Sequence, residues 1–331
     1  RRMRDSYNRD ISYLRVSVTD RCNLRCLYCM PKEGVSLFGH DDILRYEEFL
    51  RIIRAAVGLG VAKVRVTGGE PLVRRGLLDF LSALKAISLE DLSLTTNGIL
   101  LEVYAEKLFD AGVRRINVSL DSLDPEKYAR MTRGGNLHAV LRGIDKAFQI
   151  GFSPIKINTV ALRGFNEDEI LKIAGLTLEK PYQVRFIELM PAGRSAVNVS
   201  EQYLSGDDIM ARIGAFRKLH PVDGDGGRTN GPARVYRMEG AVGEIGFISP
   251  VSHHFCDLCN RLRLTADGHL RSCLLVDDEL DLKTPLRSGC SDADLQGMIR
   301  KAILEKPRGH DLRIGKSPQK KSRREMRRIG G

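Results

Sequence analysis

Short segments in which apolar and polar residues alternate recur through the first 190 residues, and longer amphipathic segments separate them. In KVRVT the apolar Val64 and Val66 alternate with polar neighbours, which is typical of a strand with one buried face. The segments EEFLRIIRAAVGLG and RGLLDFLSALKAI instead carry apolar residues at helical spacing. The pattern predicts strands over residues 12–19, 63–67, 91–95, 114–120, 155–162 and 183–190.

Strands that alternate with helices predict a parallel sheet with right-handed crossovers. Eight such units close a TIM barrel in about 250 residues. Six units within residues 1–190 therefore predict an α/β fold, a partial (β/α)6 TIM-like barrel that stays open along one side.

After Pro191 the alternation stops, and residues 191–232 are rich in Gly, Ser, Asp and Asn. This composition predicts a linker and flexible loops. Residues 233–331 are predicted to form a smaller C-terminal α+β region with a basic Gly-Gly tail. Its predicted elements are strands at 234–238 and 244–249, a hairpin that turns at Asp267-Gly268, and a helix near 291–304.

The chain has a formal net charge of +11, a balance that often indicates nucleic-acid binding. However, residues 300–331 carry twelve Lys and Arg against three Asp and Glu, a surplus of nine. The rest of the chain is almost balanced, so we expect neither a nucleic-acid partner nor a membrane partner. No apolar run reaches about 18 residues, and RRMRDSYNRD lacks the apolar core of a signal peptide.

Polar or glycine-rich motifs follow four of the predicted strands: TDRCN, TGGEP, TTNG and SLDS. The carboxyl ends of barrel strands are where active sites form, because the βα loops converge there. The four motifs therefore predict one functional rim.

Three cysteines, Cys22, Cys26 and Cys29, lie within the first of these motifs and the residues after it. A zinc half-site or three buried thiols would explain the spacing. A four-iron cluster is the third interpretation. Such clusters are normally held by four thiolates, one on each iron. Three thiolates would leave one iron open to a small molecule.

A second triplet consists of Cys256, Cys259 and Cys273. A Cys3His zinc site with His269 is the competing reading. If the segment around 269–274 is a strand, His269 and Cys273 lie about 13 Å apart at a rise of 3.3 Å per residue, too far for one zinc ion. A second three-cysteine cluster is preferred, and His253 and His254 are expected to be polar loop residues. Cys290 is expected to be a buried structural thiol. Seven cysteines are an odd number, and two triplets suit metal ligation better than disulfides, which favours a reducing, cytoplasmic location.

The spacing CxxxCxxC, with Tyr28 before the last cysteine, resembles the radical S-adenosylmethionine (SAM) superfamily. Within it, SYLRVSVTDRCNLRCLYCMP, VRVTGGEPLVR, HFCDLCNRLRLTADGHLRSCL and a terminal IGG resemble the GTP 3′,8-cyclase family, a lyase family of molybdenum cofactor biosynthesis. The resemblance implies two [4Fe–4S] clusters on the two triplets, SAM on the first and GTP at the second. It also implies that a 5′-deoxyadenosyl radical removes hydrogen from C3′ of GTP, and that C3′ then attacks C8. The product would be (8S)-3′,8-cyclo-7,8-dihydroguanosine 5′-triphosphate, the first intermediate of the pathway.

The resemblance also assigns residues and partners. SAM contacts are expected from Tyr28, Gly69, Ser119 and Met190, and GTP contacts from Arg15, Arg65, Thr95, Lys156, Arg261, Leu262 and Arg263. Catalytic roles fall to Arg15, Arg261 and Arg263, and Gly330 and Gly331 of the tail are expected to reach the active site. The implied partners are a reducing electron donor, a second copy in a homodimer, and cyclic pyranopterin monophosphate synthase, which receives the product.

Two other functions fit parts of the sequence. Another radical SAM enzyme with an auxiliary cluster, such as one that modifies peptides, would use the same first triplet. A zinc protein that binds nucleic acid through its basic tail would contain zinc and bind less tightly as salt rises. The cations Arg15, Arg65, Lys156, Arg261 and Arg263 favour a triphosphate substrate.

Overall fold

The computed structural model describes residues 2–191, 197–222, 232–310, 324 and 326–330. Gly331 and the Gly- and Asp-rich stretch 223–231, which was predicted to be a loop, lie outside these residues.

Twelve strands of the described residues form one sheet, in the order β12-β11-β10-β1-β2-β3-β4-β5-β6-β9-β8-β7. Strands β1 to β6 are parallel neighbours in chain order, which confirms the predicted α/β fold and its six βα units. The strands are β1 Tyr13–Ser17, β2 Lys63–Thr67, β3 Asp91–Thr96, β4 Arg115–Ser119, β5 Ile155–Ala161, β6 Gln183–Glu188, β7 Leu219–Pro221, β8 Arg234–Met238, β9 Glu244–Ile248, β10 Arg261–Leu264, β11 His269–Arg271 and β12 Glu279–Asp281.

Helices alternate with these strands along the chain. They are α1 Tyr46–Gly58, α2 Leu77–Lys85, α3 Leu101–Asp110, α4 Pro125–Thr132, α5 Leu137–Ile150, α6 Ile170–Ala174, α7 Leu176–Glu179, α8 Val199–Gln202, α9 Gly206–Phe216, α10 Lys283–Arg287, α11 Asp292–Leu304 and α12 Met326–Ile329. Alternate strand residues such as Leu14, Val16, Val64 and Val66 are fully buried in the main core. Their burial is the main force that holds the helices on the sheet.

The C-terminal strands lengthen the same sheet at both edges. Strand β10 pairs in parallel with β1, and β9 pairs in parallel with β6, so eight parallel strands lie side by side. Leu262 and Phe247 are fully buried and continue the apolar layer of the barrel strands. Cys290 is only partly buried and packs against this core. No alternation pattern within one strand could predict these long-range pairings.

Residues 191–232 differ from the predicted linker and loops, because they contain α8, α9 and β7. The Ser205 side chain caps α9 by accepting a hydrogen bond from the Asp208 backbone N–H, 3.0 Å away. Ile209 and Ile213 lie one helical turn apart and are fully buried. The cap and this spacing are the signals that predict a helix here.

Among the described residues, none of the helices combines the length and the apolar character that a membrane crossing requires.

Candidate functional site

The concave face of the sheet is lined by polar and charged side chains. Residues paired in register point to the same side of a sheet. In this register Arg15 of β1 lies between Arg263 of β10 and Arg65 of β2. On the other side of the barrel, Lys156 of β5 lies between Asn117 of β4 and Gln183 of β6. The structure therefore brings the predicted GTP residues from distant parts of the chain onto one surface.

Burial and mutual repulsion make these cations costly to hold without an anion. Burial, and then the charge of Arg263, lower the pKa of Arg15 well below its usual value. Burial, and then the charge of Arg185, lower the pKa of Lys156 to about 6. Burial likewise lowers the pKa of Arg263 to about 10. A ligand with several negative charges would offset this cost.

Polar oxygens on the same face have no hydrogen-bond partner in the part of the chain that is described. They are the hydroxyls of Tyr13 and Thr95 and the side-chain carbonyls of Asn117 and Asn158, all of them buried. Buried polar atoms are almost always hydrogen-bonded in native proteins. The concave face therefore fits a polar ligand that supplies donors as well as negative charge.

The first cysteine triplet lies in the loop that follows β1. None of its three cysteines is in a disulfide. The Leu24 backbone N–H donates to the sulfur of Cys22 over 3.4 Å, and Asn97 Nδ2 donates to the same sulfur over 3.8 Å. Cys26 and Cys29 share a sulfur hydrogen bond, so the two thiols are in contact.

The environment of Cys22 and Cys26 disfavours the charged form of their thiols. Burial raises the pKa of Cys22 to about 12. The hydrogen bond to Cys29, followed by burial, raises the pKa of Cys26 well above its usual value. Such thiols stay protonated unless a cation replaces the proton, and a coordinated metal does so outright. Three clustered, reduced thiols fit the ligand set of an iron–sulfur cluster.

Tyr28 lies within this loop, between Cys26 and Cys29, and its side chain is held by the buried carboxyl group of Asp121. Its hydroxyl donates to Asp121 Oδ2 over 2.7 Å, and the Val160 backbone N–H donates to Asp121 Oδ1 over 2.9 Å. Burial raises the pKa of Asp121 to about 6. The predicted SAM residue Ser119 lies nearby in sequence on β4, paired in register with Asn158.

The glycines of TGGEP hold the backbone close to the chain that precedes Cys22. The Gly69 backbone N–H donates to Thr19 O over 2.7 Å, and a Cβ at Gly69 would lie 2.3 Å from the carbonyl oxygen of Arg21. The SAM contact expected at Gly69 stays a prediction, and the glycine is in any case required by this approach to the protein's own backbone. Glu70 accepts hydrogen bonds from the Asn97 backbone and the Thr96 hydroxyl at 2.6 and 2.8 Å, and burial raises its pKa to about 7.

The second triplet surrounds the start of β10. A 3-10 turn at Cys256–Leu258 brings the Cys259 N–H to within 3.0 Å of the Cys256 carbonyl oxygen. Burial opposes ionisation of Cys259, but the charges of Lys306 and Arg261 outweigh it and lower its pKa to about 7. Met190 packs in the same small cluster as Cys273, against Val251 and Leu275.

The residues of β10 face two ways, as alternation requires. Arg261 and Arg263 point to the concave face, with the guanidinium of Arg261 lying 5.3 Å from the centroid of the Phe255 ring. Leu262, also predicted to contact GTP, points the other way and is fully buried in the core. Its side chain therefore cannot reach the concave face, and only its backbone borders that face.

His269 lies in strand β11, 3.1 Å from Asp267. The strand ends at Arg271, so the assumption of a strand that continues to Cys273 holds only in part. His254 differs from the expectation of an ordinary loop residue. Its ring lies 4.5 Å from that of His310, and the ligand atoms of both histidines lie within 4.8 Å of the Cys256 sulfur. The adjacency of His254 to the FCDLC motif was the available signal.

The C-terminal tail lies on the concave face. Gly330 adopts φ +83°, and a Cβ there would lie 2.7 Å from Thr67 Cγ2. Its carbonyl oxygen accepts a hydrogen bond from Arg263 Nη1 over 2.8 Å. Ile329 is fully buried. Arg324 forms ion pairs with Asp267, in the turn before β11, at 2.8 Å and with Glu279 of β12 at 2.7 Å.

Arg185 was not among the predicted site residues. It is 4% exposed, pairs in register with Asn158, and donates to Gln183 Oε1 over 2.8 Å. Burial, and then the charge of Arg65, lower its pKa to about 9. The alternation QVRFIE, which puts Gln183 and Arg185 on one face, is the signal that could have identified it.

Comparison with known proteins adds independent evidence. Residues 16–177 match the family described as the Radical SAM superfamily, and residues 182–312 match the family described as Molybdenum Cofactor Synthesis C. A protein of Pelotomaculum thermopropionicum named GTP 3′,8-cyclase is 49% identical over 331 residues, covering 99% of this chain and 100% of that protein. A GTP 3′,8-cyclase of Moorella thermoacetica is 47% identical with the same coverage. Streptococcus suis SuiB bound to S-adenosylmethionine shares the fold, with a TM-score of 0.60 and 16% identity over 89% of this chain and 69% of that one.

Proposed function

The chain belongs to the GTP 3′,8-cyclase family of radical SAM enzymes, and we propose that its cationic concave face binds GTP between the two cysteine triplets. The resemblance seen in its motifs is thereby confirmed, and the enzyme acts in the first step of molybdenum cofactor biosynthesis. The observation that carries the substrate proposal is the register Arg263–Arg15–Arg65, with Lys156 and Arg185 on the same face.

Two [4Fe–4S] clusters and SAM are the cofactors of this chemistry. Cys22, Cys26 and Cys29 would hold the first cluster, and Cys256, Cys259 and Cys273 the second. When bound, the first cluster and SAM supply the 5′-deoxyadenosyl radical that takes the hydrogen at C3′ of GTP. Tyr28, Gly69, Ser119 and Met190 are the proposed SAM contacts.

The chain's cations would bind and orient the nucleotide. GTP carries about four negative charges, and arginine binds phosphate oxygens in a bidentate manner. Arg15, Arg65, Lys156 and Arg185 would take the triphosphate, and Thr95 would use its unpartnered hydroxyl. Arg261 and Arg263 border the second triplet, so they would hold the guanosine end, together with the backbone of Leu262, and stabilise charge as C3′ bonds to C8.

Several finer points belong to the same proposal. Gly330 and Gly331 would complete the active site from the tail. A reducing protein would deliver electrons, two copies of the chain would form a homodimer, and cyclic pyranopterin monophosphate synthase would take the product. The barrel at 1–190, the connection at 191–232 and the C-terminal region at 233–331 would act as the three parts of the chain.

The test is anaerobic incubation of the reconstituted chain with SAM and a reductant, with and without GTP, followed by quantification of 5′-deoxyadenosine. We expect a GTP-dependent rise and a GTP isomer of unchanged mass. Arg261→Ala and Arg263→Ala should still cleave SAM but yield no cyclised product, while Arg54→Ala on the exposed face of α1 should behave as wild type. SAM cleavage that ignores GTP would refute the substrate but keep the radical enzyme. An iron-loaded chain that cleaves no SAM would refute the role of the first triplet.

A further inference from the structure

A buried lysine lies directly behind the second cysteine triplet. Lys306 follows α11 and is 2% exposed. Its Nζ donates to the carbonyl oxygen of Arg261 over 3.0 Å and to the carbonyl oxygen of Ser272. Its charge lies close enough to Cys259 to lower the pKa of that thiol. One ammonium group thus contacts both chain segments that carry Cys259 and Cys273.

The charge of Lys306 has no carboxylate partner among the described residues. Its other partners are two neutral carbonyl groups. A buried ammonium is strongly unfavourable unless an opposite charge lies beside it. The anion that this position offers is the thiolate of Cys259, and with it the negative charge of whatever the triplet binds.

The segment around Lys306 is itself held firmly. Arg9, buried and paired with Asp5 at 2.6 Å, donates to the carbonyl oxygens of Pro307 at 2.8 Å and Arg308 at 2.9 Å. The same guanidinium donates to the Cys256 carbonyl oxygen over 2.7 Å. The ammonium of Lys306 and the first cysteine of the triplet are therefore fixed to one buried ion pair.

We propose that Lys306 is a positioning residue for the C-terminal cluster, whose negative charge its ammonium offsets while it holds Cys259, Arg261 and Cys273 in one arrangement. This inference rests on the proposed function, in which the second triplet holds a cluster. A positive charge beside a cluster stabilises its reduced, more negative form, so it raises the reduction potential. Lys306 would thus set both the potential of the cluster and the direction of the arginines beside it.

The test uses the full chain with Cys22, Cys26 and Cys29 changed to serine, so that bound iron reports on the second triplet alone. Lys306→Met removes the charge, Lys306→Arg keeps it, and Lys301→Met on the exposed side of α11 is the control. Midpoint potentials are measured by redox titration with paramagnetic resonance, and iron release to a chelator is timed. Melting temperatures are measured with and without the cluster.

We expect Lys306→Met to shift the reduction equilibrium about tenfold towards the oxidised cluster, a potential about 59 mV more negative for a one-electron couple. Iron release should be at least about tenfold faster, and Lys306→Arg should lie close to the wild-type values. Equal potentials and release rates in Lys306→Met and Lys301→Met would overturn the proposal. Equal loss of melting temperature with and without the cluster would also overturn it, because the ammonium would then support only the fold. If the serine background with Lys306 intact binds no iron, the proposed C-terminal cluster itself is wrong.

Discussion

Arg324 anchors the C-terminal tail, and Arg324→Met should release the tail from the concave face. Its Nη1 lies 2.8 and 2.9 Å from the two carboxylate oxygens of Asp267, and its Nη2 lies 2.7 Å from Glu279. The Arg324 side chain is 21% exposed and those of its partners 8% and 15%, so solvent screens these contacts only in part. Methionine keeps the length of the side chain and removes both ion pairs.

The magnitude follows from what each partner retains. Without Arg324, Asp267 still accepts from the Thr265 hydroxyl at 2.6 Å and contacts His269 at 3.1 Å, and Glu279 still pairs with Arg271. Each carboxylate keeps another partner, so the loss is the net value of two partly screened ion pairs at about 1 kcal/mol each, about 2 kcal/mol together. At about 1.4 kcal/mol per factor of ten, the docked tail should lose about 30-fold in its equilibrium with the undocked tail.

Amide hydrogen exchange measures this equilibrium directly. The Gly330 N–H donates to Met326 O within α12, and Ile329 beside it is fully buried. Exchange of the Gly330 amide hydrogen therefore requires the tail to leave the concave face. Protection at 326–330 should fall about 30-fold in Arg324→Met and stay unchanged in Arg300→Met, a control at an exposed position of α11. Equal protection in the two variants would refute the reasoning, because the burial of Ile329 and the Arg263–Gly330 bond would then suffice.

The same ion pairs set a pH dependence for tail docking. Burial opposes ionisation of Asp267, but contacts with His269 and Arg324 outweigh it and hold its pKa well below the usual range. A carboxylate with a depressed folded pKa contributes stability above its unfolded pKa of about 3.9 and loses it as the pH falls towards the folded pKa. Docking through Asp267 should therefore be insensitive to pH between about 5 and 8.

Three further changes probe other parts of the site. Gly330→Ala should weaken docking of the tail by at least about 1–2 kcal/mol, because φ +83° disfavours a side chain and the new Cβ would lie 2.7 Å from Thr67 Cγ2. We expect loss of cyclised product with unchanged iron content, and normal product formation would contradict this prediction. Burial lowers the pKa of Lys156 to about 6, so GTP binding at pH 7.5 should be accompanied by proton uptake of up to about one proton. Calorimetry in buffers of different ionisation enthalpy measures this uptake, and buffer-independent heats would contradict it. Tyr28→Phe removes the hydroxyl that donates to the buried Asp121, so it should lower the free energy of unfolding by about 1 kcal/mol and speed iron loss from the first triplet. Chemical denaturation measures the first effect and iron release to a chelator the second. Unchanged values in both assays would contradict the prediction.

Local patterns predicted the barrel strands well, for a physical reason. The segments 63–67 and 234–238 match β2 and β8 residue for residue. In β2 the alternation of Val64 and Val66 with polar neighbours identifies a half-buried strand without reference to the rest of the sheet. The pairing of β10 with β1 joins residues about 250 positions apart, and nothing within either strand encodes it. Helix α9 was missed because Gly and Asp residues around it suggested loops, although Ile209 and Ile213 carried the helical spacing.

The site residues divide in the same way. The spacing of the six cysteines left zinc sites and iron–sulfur clusters open, and the resemblance to the family decided between them; their role as cluster ligands stays a prediction. The carbonyl oxygen of Arg21 leaves no room for a side chain at Gly69. This contact could not be predicted, because it depends on two loops that meet only in the folded barrel. Arg185 lay within reach of the alternation argument that identified Lys156, but its role becomes evident only when β5 and β6 lie side by side.

The topology also brings the segments that carry the two cysteine triplets, more than 200 residues apart in the chain, onto adjacent strands. Strands β1 and β10 are parallel and in register from Tyr13–Arg261 to Val16–Leu264. The first triplet follows the carboxyl end of β1, whereas Cys256 and Cys259 precede the amino end of β10, so the two lie at opposite ends of adjacent strands. Five-residue strands rise about 13 Å from first to last residue. A closed barrel fills this length with apolar side chains, but here it carries Arg15, Arg263 and the polar residues opposite them. An interior with these charges and hydrogen-bonding groups suits an elongated anionic ligand, and this supports the proposal that GTP binds between the two triplets.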